Sequence, residues 1–369
     1  MIEEISTHLK NRASVASLGS DVQFFYLNKE AHQLALSELL SLHPECLVVN
    51  TIQQQLKDLI KLEHPAIKLS EEQYSEKIAE KLNGQSEDSF GVWVYYPWRN
   101  TLVHLLDEDD FVKVRTIRNA YKITLEEQEI LRRKKVGVVG LSVGQSVAMT
   151  IALERVAGEI RLADFDTLEL SNMNRLRTGA QHIGLMKAEI VKREIAEIDP
   201  FIKVKLYLDG VNRDNIMDYL TSNGGLDLVV EECDSPDIKL LIRKKCQPLG
   251  IPVVMELSDR GILDIERYDV DRNYPILHDR ISKELLEADE LNEQQKRELL
   301  FQFMDITKIS ERGKMSLAEV GKTITTWPQL GSDVALGGAV VTMTSRMILL
   351  KEPIKSDRIY VDVPSIINQ

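Results

Sequence analysis

Three side chains in a short stretch, Asn172, Arg175 and Lys187, have the types and spacing that chemistry at a phosphate needs. An arginine forks onto phosphate oxygens, a lysine supplies a point charge, and an asparagine orients a substrate group. Together they would stabilise negative charge growing on an α-phosphate while a carboxylate attacks it. Taken singly, each fits a plainer role: a turn cap, a surface arginine, a helix-face lysine. Asp164 and Asp166 precede them. An acid at the end of a second strand accepts hydrogen bonds from ribose hydroxyls, or it caps a helix. Asp234 follows the apolar run Leu226-Asp227-Leu228-Val229-Val230. It could hold magnesium through one carboxylate, with waters and phosphates as the other ligands, or cap the helix after Ser235-Pro236.

The elements that must position these groups are legible around them. Val136-Gly137-Val138-Val139 is an apolar run that turns at Gly140-Leu141-Ser142-Val143-Gly144. A helical stretch and a second strand ending at Asp164 follow, which describes a mononucleotide-binding βαβ unit. Small residues in the turn, Gly140, Ser142 and Gly144, would let backbone N–H groups meet phosphate at a helix N-terminus. The spacing Gly140, Ser142, Gln145 does not satisfy G-x-G-x-x-G, so the turn alone equally fits any strand–helix junction. Downstream, a helix over 186–198 stopped by Asp199-Pro200, and strands over 204–208, 226–230 and 252–255, alternate with helices over 214–222 and 238–249. That alternation predicts an α/β fold: a Rossmann-like, doubly wound, mostly parallel sheet.

Residues 1–114 read as a small α+β N-terminal domain, and 115–369 as the nucleotide domain with a helical C-terminal extension. In the first, residues 91–96 and 101–106 predict a hairpin turned by Pro97-Trp98-Arg99-Asn100, and helices are predicted over 29–42, 51–62 and from Ser70. In the second, a charged helix is expected over 282–304 and an apolar one over 333–350. Gly337-Gly338-Ala339 in the latter allows close packing in a core or a dimer.

Composition narrows the function classes. The chain has 369 residues and a formal net charge of −12, which argues against nucleic acid because phosphate neutralisation needs a basic face. The three cysteines, Cys46, Cys233 and Cys246, form no CxxC pair, so no structural zinc held by four cysteines is expected. Few, scattered cysteines fit a reducing, cytoplasmic location. The acidic N-terminus does not read as a secretory signal, and no apolar stretch is long enough for a membrane span.

These residues in this order resemble the ThiF/MoeB superfamily, the adenylyltransferases related to ubiquitin-activating enzymes. The resemblance rests on the glycine turn, on the run from Asp164 through Ser171-Asn172-Met173-Asn174-Arg175, on Gly184-Leu185-Met186-Lys187-Ala188, on Asp199-Pro200, and on the strand end from Asp227 to Asp234. It covers roughly residues 115–350. The wording SNMNRLR and EECDSPDIK looks closest to an uncharacterised bacterial branch whose members sometimes carry a nitroreductase-like domain after this one; this sequence ends before such a domain would fit. The resemblance implies ATP and Mg2+, an acyl-adenylate on a peptide or small protein carboxylate, and a homodimer. It implies that Asp164 holds ribose, that Asn172, Arg175 and Lys187 address the phosphates, and that Asp234 binds magnesium. It also implies a partner-subunit arginine, with its counterpart near Arg118-Asn119-Ala120-Tyr121-Lys122. By the same resemblance the N-terminal domain would be a peptide clamp, with the hairpin edge as its docking strand, or a dimerisation element.

The sequence departs from the family's usual GxGGxG at Ser142, Val143 and Gln145, and no cysteine follows Met255, so no thioester relay is expected. Two other readings remain open: an NAD-dependent oxidoreductase on the same Rossmann-like unit, and a nucleotide-binding scaffold with degraded catalysis. Hydride transfer needs no charge clamp at an α-phosphate, which speaks against the first.

Overall fold

The computed structural model describes Ile5, residues 18–288 and residues 290–368. The chain divides after Thr124 into two compact units. In the first, β1 (Gln23–Phe25), β2 (Leu47–Asn50), β3 (Val92–Tyr96) and β4 (Thr101–Leu105) form a sheet in the order β1-β3-β4-β2. β3 and β4 are the expected hairpin, turned through Pro97–Arg99 with Asn100 left-handed. Its supposed free edge is corrected: β1 pairs with β3 and β2 with β4, so the hairpin is the middle of the sheet. The three residues of β1 are too few to show a period of two, which is why the pairing strand was missed. Helix Glu30–Leu42 places Leu36 and Leu39 against Phe25, Trp93, Tyr95 and Leu102.

The second unit holds β5 (Lys135–Val139), β6 (Glu159–Ala163), β7 (Lys203–Tyr207), β8 (Leu228–Glu231), β9 (Val253–Leu257), β10 (Ile262–Glu266) and β11 (Asp357–Tyr360). Their order is β11-β10-β9-β8-β5-β6-β7. The five from β5 to β9 are parallel, and β10 and β11 add an antiparallel margin. Val136, Val138, Leu228, Val229, Val230, Val253 and Val254 are buried, as strands covered on both faces require. From β5 the chain winds outward to β6 and β7, then returns to lay β8 on the other side of β5. That reversal opens a crevice at the carboxyl ends of β5 and β8.

After Gly261 one strand carries no sequence signal and one expectation fails. β10 reads as irregular because Asp264 and Glu266 interrupt its apolar run, yet both are buried: Arg358 grips Asp264 at 2.7 and 2.6 Å, and Arg243 meets Glu266 at 2.6 Å. The charged helix over 282–304 is two helices, Lys283–Glu287 and Glu293–Met304, the second begun by a reciprocal cap between Asn292 and Gln295. The small-residue helix, Gly331–Leu349, is a core element against helix Gly144–Glu154: a Cβ on Gly338 would come 2.9 Å from the Ser146 carbonyl carbon.

Candidate active site

Gly140 ends β5 with φ +83°, which favours glycine. A Cβ there would also lie 2.6 Å from the Glu232 carbonyl oxygen and 2.7 Å from the Cys233 nitrogen, so the end of β8 passes directly beneath the turn. Val143 is helical (φ −86°, ψ −41°), so a side chain costs no backbone strain at that departure from the glycine pattern. Gly144 is the first helical residue, and a Cβ on it would meet Val138 Cγ1 at 2.8 Å. It serves close packing of helix on strand.

Asp164, buried at the end of β6, closes the turn. Leu141 N–H donates to its Oδ2 at 2.6 Å and Asp166 N–H to its Oδ1 at 2.8 Å. Burial raises its pKa, and those N–H groups and Lys187 partly offset the rise. Each carboxylate oxygen keeps a lone pair for a ribose hydroxyl. Asp166 is exposed and pairs through Oδ2 with Lys187 Nζ at 2.8 Å. Lys187 starts helix Lys187–Ile198 and is itself buried, its ammonium held at the surface end by Asp166.

Asn172 does what the plainer reading allowed: its Oδ1 accepts from Glu169 N–H at 3.1 Å and caps the turn Leu170–Asn172. Its amide nitrogen donates to no described residue, which leaves two N–H groups for a ligand. Arg175, three residues on, donates from Nε to Ser142 Oγ at 3.1 Å and from Nη1 to Asn174 Oδ1 at 3.0 Å. Burial lowers its pKa and the nearby Asp234 carboxylate counters this. A guanidinium stays charged regardless. Asp234 stands exposed past β8, within electrostatic reach of Arg175 and in no hydrogen bond or ion pair with a described residue. The crevice thus gathers Ser142, Arg175 and Asp234, with Asp164, Asp166 and Lys187 at the neighbouring strand end. Arg118 lies in the short turn Ile117–Asn119 of the first unit.

An Asp234 carboxylate unpaired among the described residues and beside the Arg175 cation has the chemistry to share a divalent ion with a bound phosphate. No cluster of three or more His, Cys, Asp or Glu around one point exists among the described residues. The neighbouring Cys233 is a poor nucleophile: burial, then Glu231, pushes its thiol well up.

Other groups escaped the sequence reading. Buried Gln145 accepts Arg177 N–H on Oε1 at 3.0 Å and donates from Nε2 to Glu194 Oε2 at 2.8 Å. Two buried acids lie at the strand ends: Glu232 Oε1 accepts Glu256 N–H at 3.1 Å. Burial raises the pKa of both, and burial with Asp333 pushes Glu256 up to about 8. The clue was an acid closing the apolar run Val253-Val254-Met255. The loop of Asn172 and Arg175 is also tied to the apolar helix: Asn174 Nδ2 donates to the Gln329 carbonyl at 2.7 Å, and a Cβ on Gly331 would lie 2.9 Å from the Asn174 oxygen.

The chain is similar in sequence to several known proteins. A Mycobacterium tuberculosis protein named "Uncharacterized protein MT1398" is 43% identical over 280 residues, 75% of this chain and 38% of its own length. "Adenylyltransferase and sulfurtransferase UBA4" of Lodderomyces elongisporus is 31% identical over 149 residues, 40% of this chain and 32% of that one. "tRNA threonylcarbamoyladenosine dehydratase" of Bacillus subtilis is 29% identical over 158 residues, 42% of this chain and 60% of that one. The chain spans less than two thirds of the length of each of these relatives. The ThiF family model matches residues 115–257, so the chain carries a ThiF family domain.

Proposed function

We propose that the chain uses ATP to adenylylate a carboxylate, on a peptide or a small protein. A carboxylate oxygen attacks the α-phosphorus, the bond to the bridging oxygen breaks, and pyrophosphate leaves. The resulting acyl-adenylate is then consumed by an amine, thiol or other nucleophile. Arg175 and the Asn172 amide would meet charge developing on the α-phosphate, Lys187 would exchange Asp166 for phosphate oxygens, and Asp164 would hold ribose. Gly140, Ser142 and Gly144 would line the phosphate turn. Asp234 would hold magnesium, which supplies charge neutralisation for the departing pyrophosphate. The observation that carries this reading is the half-buried guanidinium of Arg175, fixed on Ser142 and Asn174 within electrostatic reach of Asp234, whose carboxylate has no hydrogen bond or ion pair with a described residue. Hydride transfer gives such a pair no task. The printed name of the UBA4 relative supports adenylyl transfer. We further propose a cytoplasmic homodimer with no nucleic-acid partner. No helix among the described residues is long and apolar enough to cross a membrane.

ATP–pyrophosphate exchange against a panel of peptides and small proteins tests the reading. A cognate carboxylate should support exchange, and Arg175→Ala should lower its rate by about 10²-fold while ATP still binds. An Arg175→Ala variant with full exchange would remove Arg175 from the chemistry. Binding of NAD and not ATP would overturn the reading as a whole.

A further inference from the structure

In a glycine-rich phosphate turn the small residues leave bare backbone facing the ligand. Here Ser142, Val143 and Gln145 carry side chains instead, and the first and last of these turn toward the loop that bears Arg175. Ser142 Oγ accepts from Arg175 Nε at 3.1 Å. Gln145, in the first turn of helix Gly144–Glu154, spans two other elements: its Oε1 takes Arg177 N–H at 3.0 Å and its Nε2 reaches Glu194 Oε2 at 2.8 Å. Glu194 lies on helix Lys187–Ile198, whose first residue is Lys187. Gln145 is buried, so neither bond is exchanged freely with water.

We infer that Ser142 and Gln145 are positioning residues: Ser142 aims the Arg175 guanidinium over the crevice, and Gln145 locks the Arg175 loop and the Lys187 helix to one turn. The inference rests on the proposed nucleotide chemistry, and it replaces the idea that these departures from glycine mark lost catalysis. Arg175 has rotamer freedom to lose, and a guanidinium already pinned through Nε and Nη1 loses less of it when phosphate arrives. Glycine at either position would remove the brace and leave the backbone turn in place.

The test is a double-mutant cycle on the full chain. Binding of Mg2+ with α,β-methylene-ATP, and of adenosine, is measured by calorimetry for wild type, Ser142→Ala, Ser142→Thr, Gln145→Ala, Arg175→Ala and the Ser142→Ala/Arg175→Ala double variant. Ser142→Ala should weaken the triphosphate analogue by about three- to tenfold and adenosine by less than about twofold. Ser142→Thr, which keeps the hydroxyl, should recover most of the loss. Ser142→Ala should cost nothing further once Arg175 is gone. An equal loss with and without Arg175, or an equal loss for adenosine, overturns the positioning role. In parallel, NMR of the arginine Nε–H groups without nucleotide reads the brace directly. Arg175 Nε–H should be protected from solvent exchange in wild type and Ser142→Thr and exposed in Ser142→Ala. Protection with no binding of the analogue by wild type overturns the nucleotide reading while the hydrogen bond stands; no protection overturns the brace itself.

Discussion

At the residue scale, the turn depends on positions where chemistry and packing permit one side chain. Gly140 combines φ +83° with the Glu232–Cys233 backbone within 2.7 Å of a Cβ, and backbone cannot move aside as a side-chain tip can. Gly140→Ala should therefore cost about 3 kcal/mol or more, read as a lower urea midpoint at unchanged slope. Gly144→Ala meets only Val138 Cγ1, so it should cost roughly half as much. Equal costs would mean that neither the positive φ nor the passing strand adds to the penalty at Gly140. The acids and Arg175 were legible because charged residues at strand ends stand out against apolar runs. Asn172 was legible as a candidate and as a cap, but no spacing reveals that the cap leaves its amide nitrogen without a described partner. Ser142 and Gln145 read as defects in a motif because their partners are more than thirty residues away in sequence (33 for the Ser142 bond and 32 for the Gln145 bond).

At the element scale, the alternation of apolar runs and amphipathic helices exposed the parallel sheet, since strands buried on both faces are uniformly apolar. The antiparallel margin was hidden for the opposite reason. β10 carries Asp264 and Glu266, whose burial depends on Arg358, His278 and Arg243 arriving from distant sequence. Local patterning cannot anticipate such neutralisation. Helix Gly331–Leu349 shows a similar limit: its glycines announced close packing, and only the fold identifies the partner as helix Gly144–Glu154, which follows the Gly140 turn. Gly338 faces the Ser146 backbone and Gly337 faces the Glu256 carboxyl. Gly338→Ala should separate the two helices and cost about 2–4 kcal/mol, measured by thermal unfolding. It should also weaken ATP-analogue binding, because the helix that moves begins at Gly144. A destabilised variant with unchanged binding would show that the turn is held by β5 and β8 alone.

At the scale of the whole molecule, the distinctive property is how much charge lies inside a chain of net charge −12. Burial alone would raise the Glu231 carboxyl, but Lys239 and Arg243 outweigh it and hold it below the usual range; His278 and Arg358 do the same for Asp264. Such depressed carboxyls stabilise the fold above their unfolded pKa, and that stability is lost as pH falls through the folded value. Glu256 works in the other direction. Its carboxyl is pushed up from 4.5 to about 8 by burial and then by Asp333, and one of its oxygens has no partner. A raised folded pKa means the protonated form is the one the fold accepts. Its contribution is complete below about pH 4.5 and disappears as pH rises through about 8. The two trends together place maximal stability on the acid side of neutrality, with a decline toward pH 9. Glu256→Gln keeps the size and the neutral state and removes the proton. It should flatten the decline between pH 5 and 9 and leave the variant more stable than wild type at pH 9 by about 5 kcal/mol. Denaturation midpoints at intervals across that range check it. Curves that run parallel for the two proteins would mean that Glu256 ionises without cost, and the packing of Gly337 on its carboxyl would then need a different account.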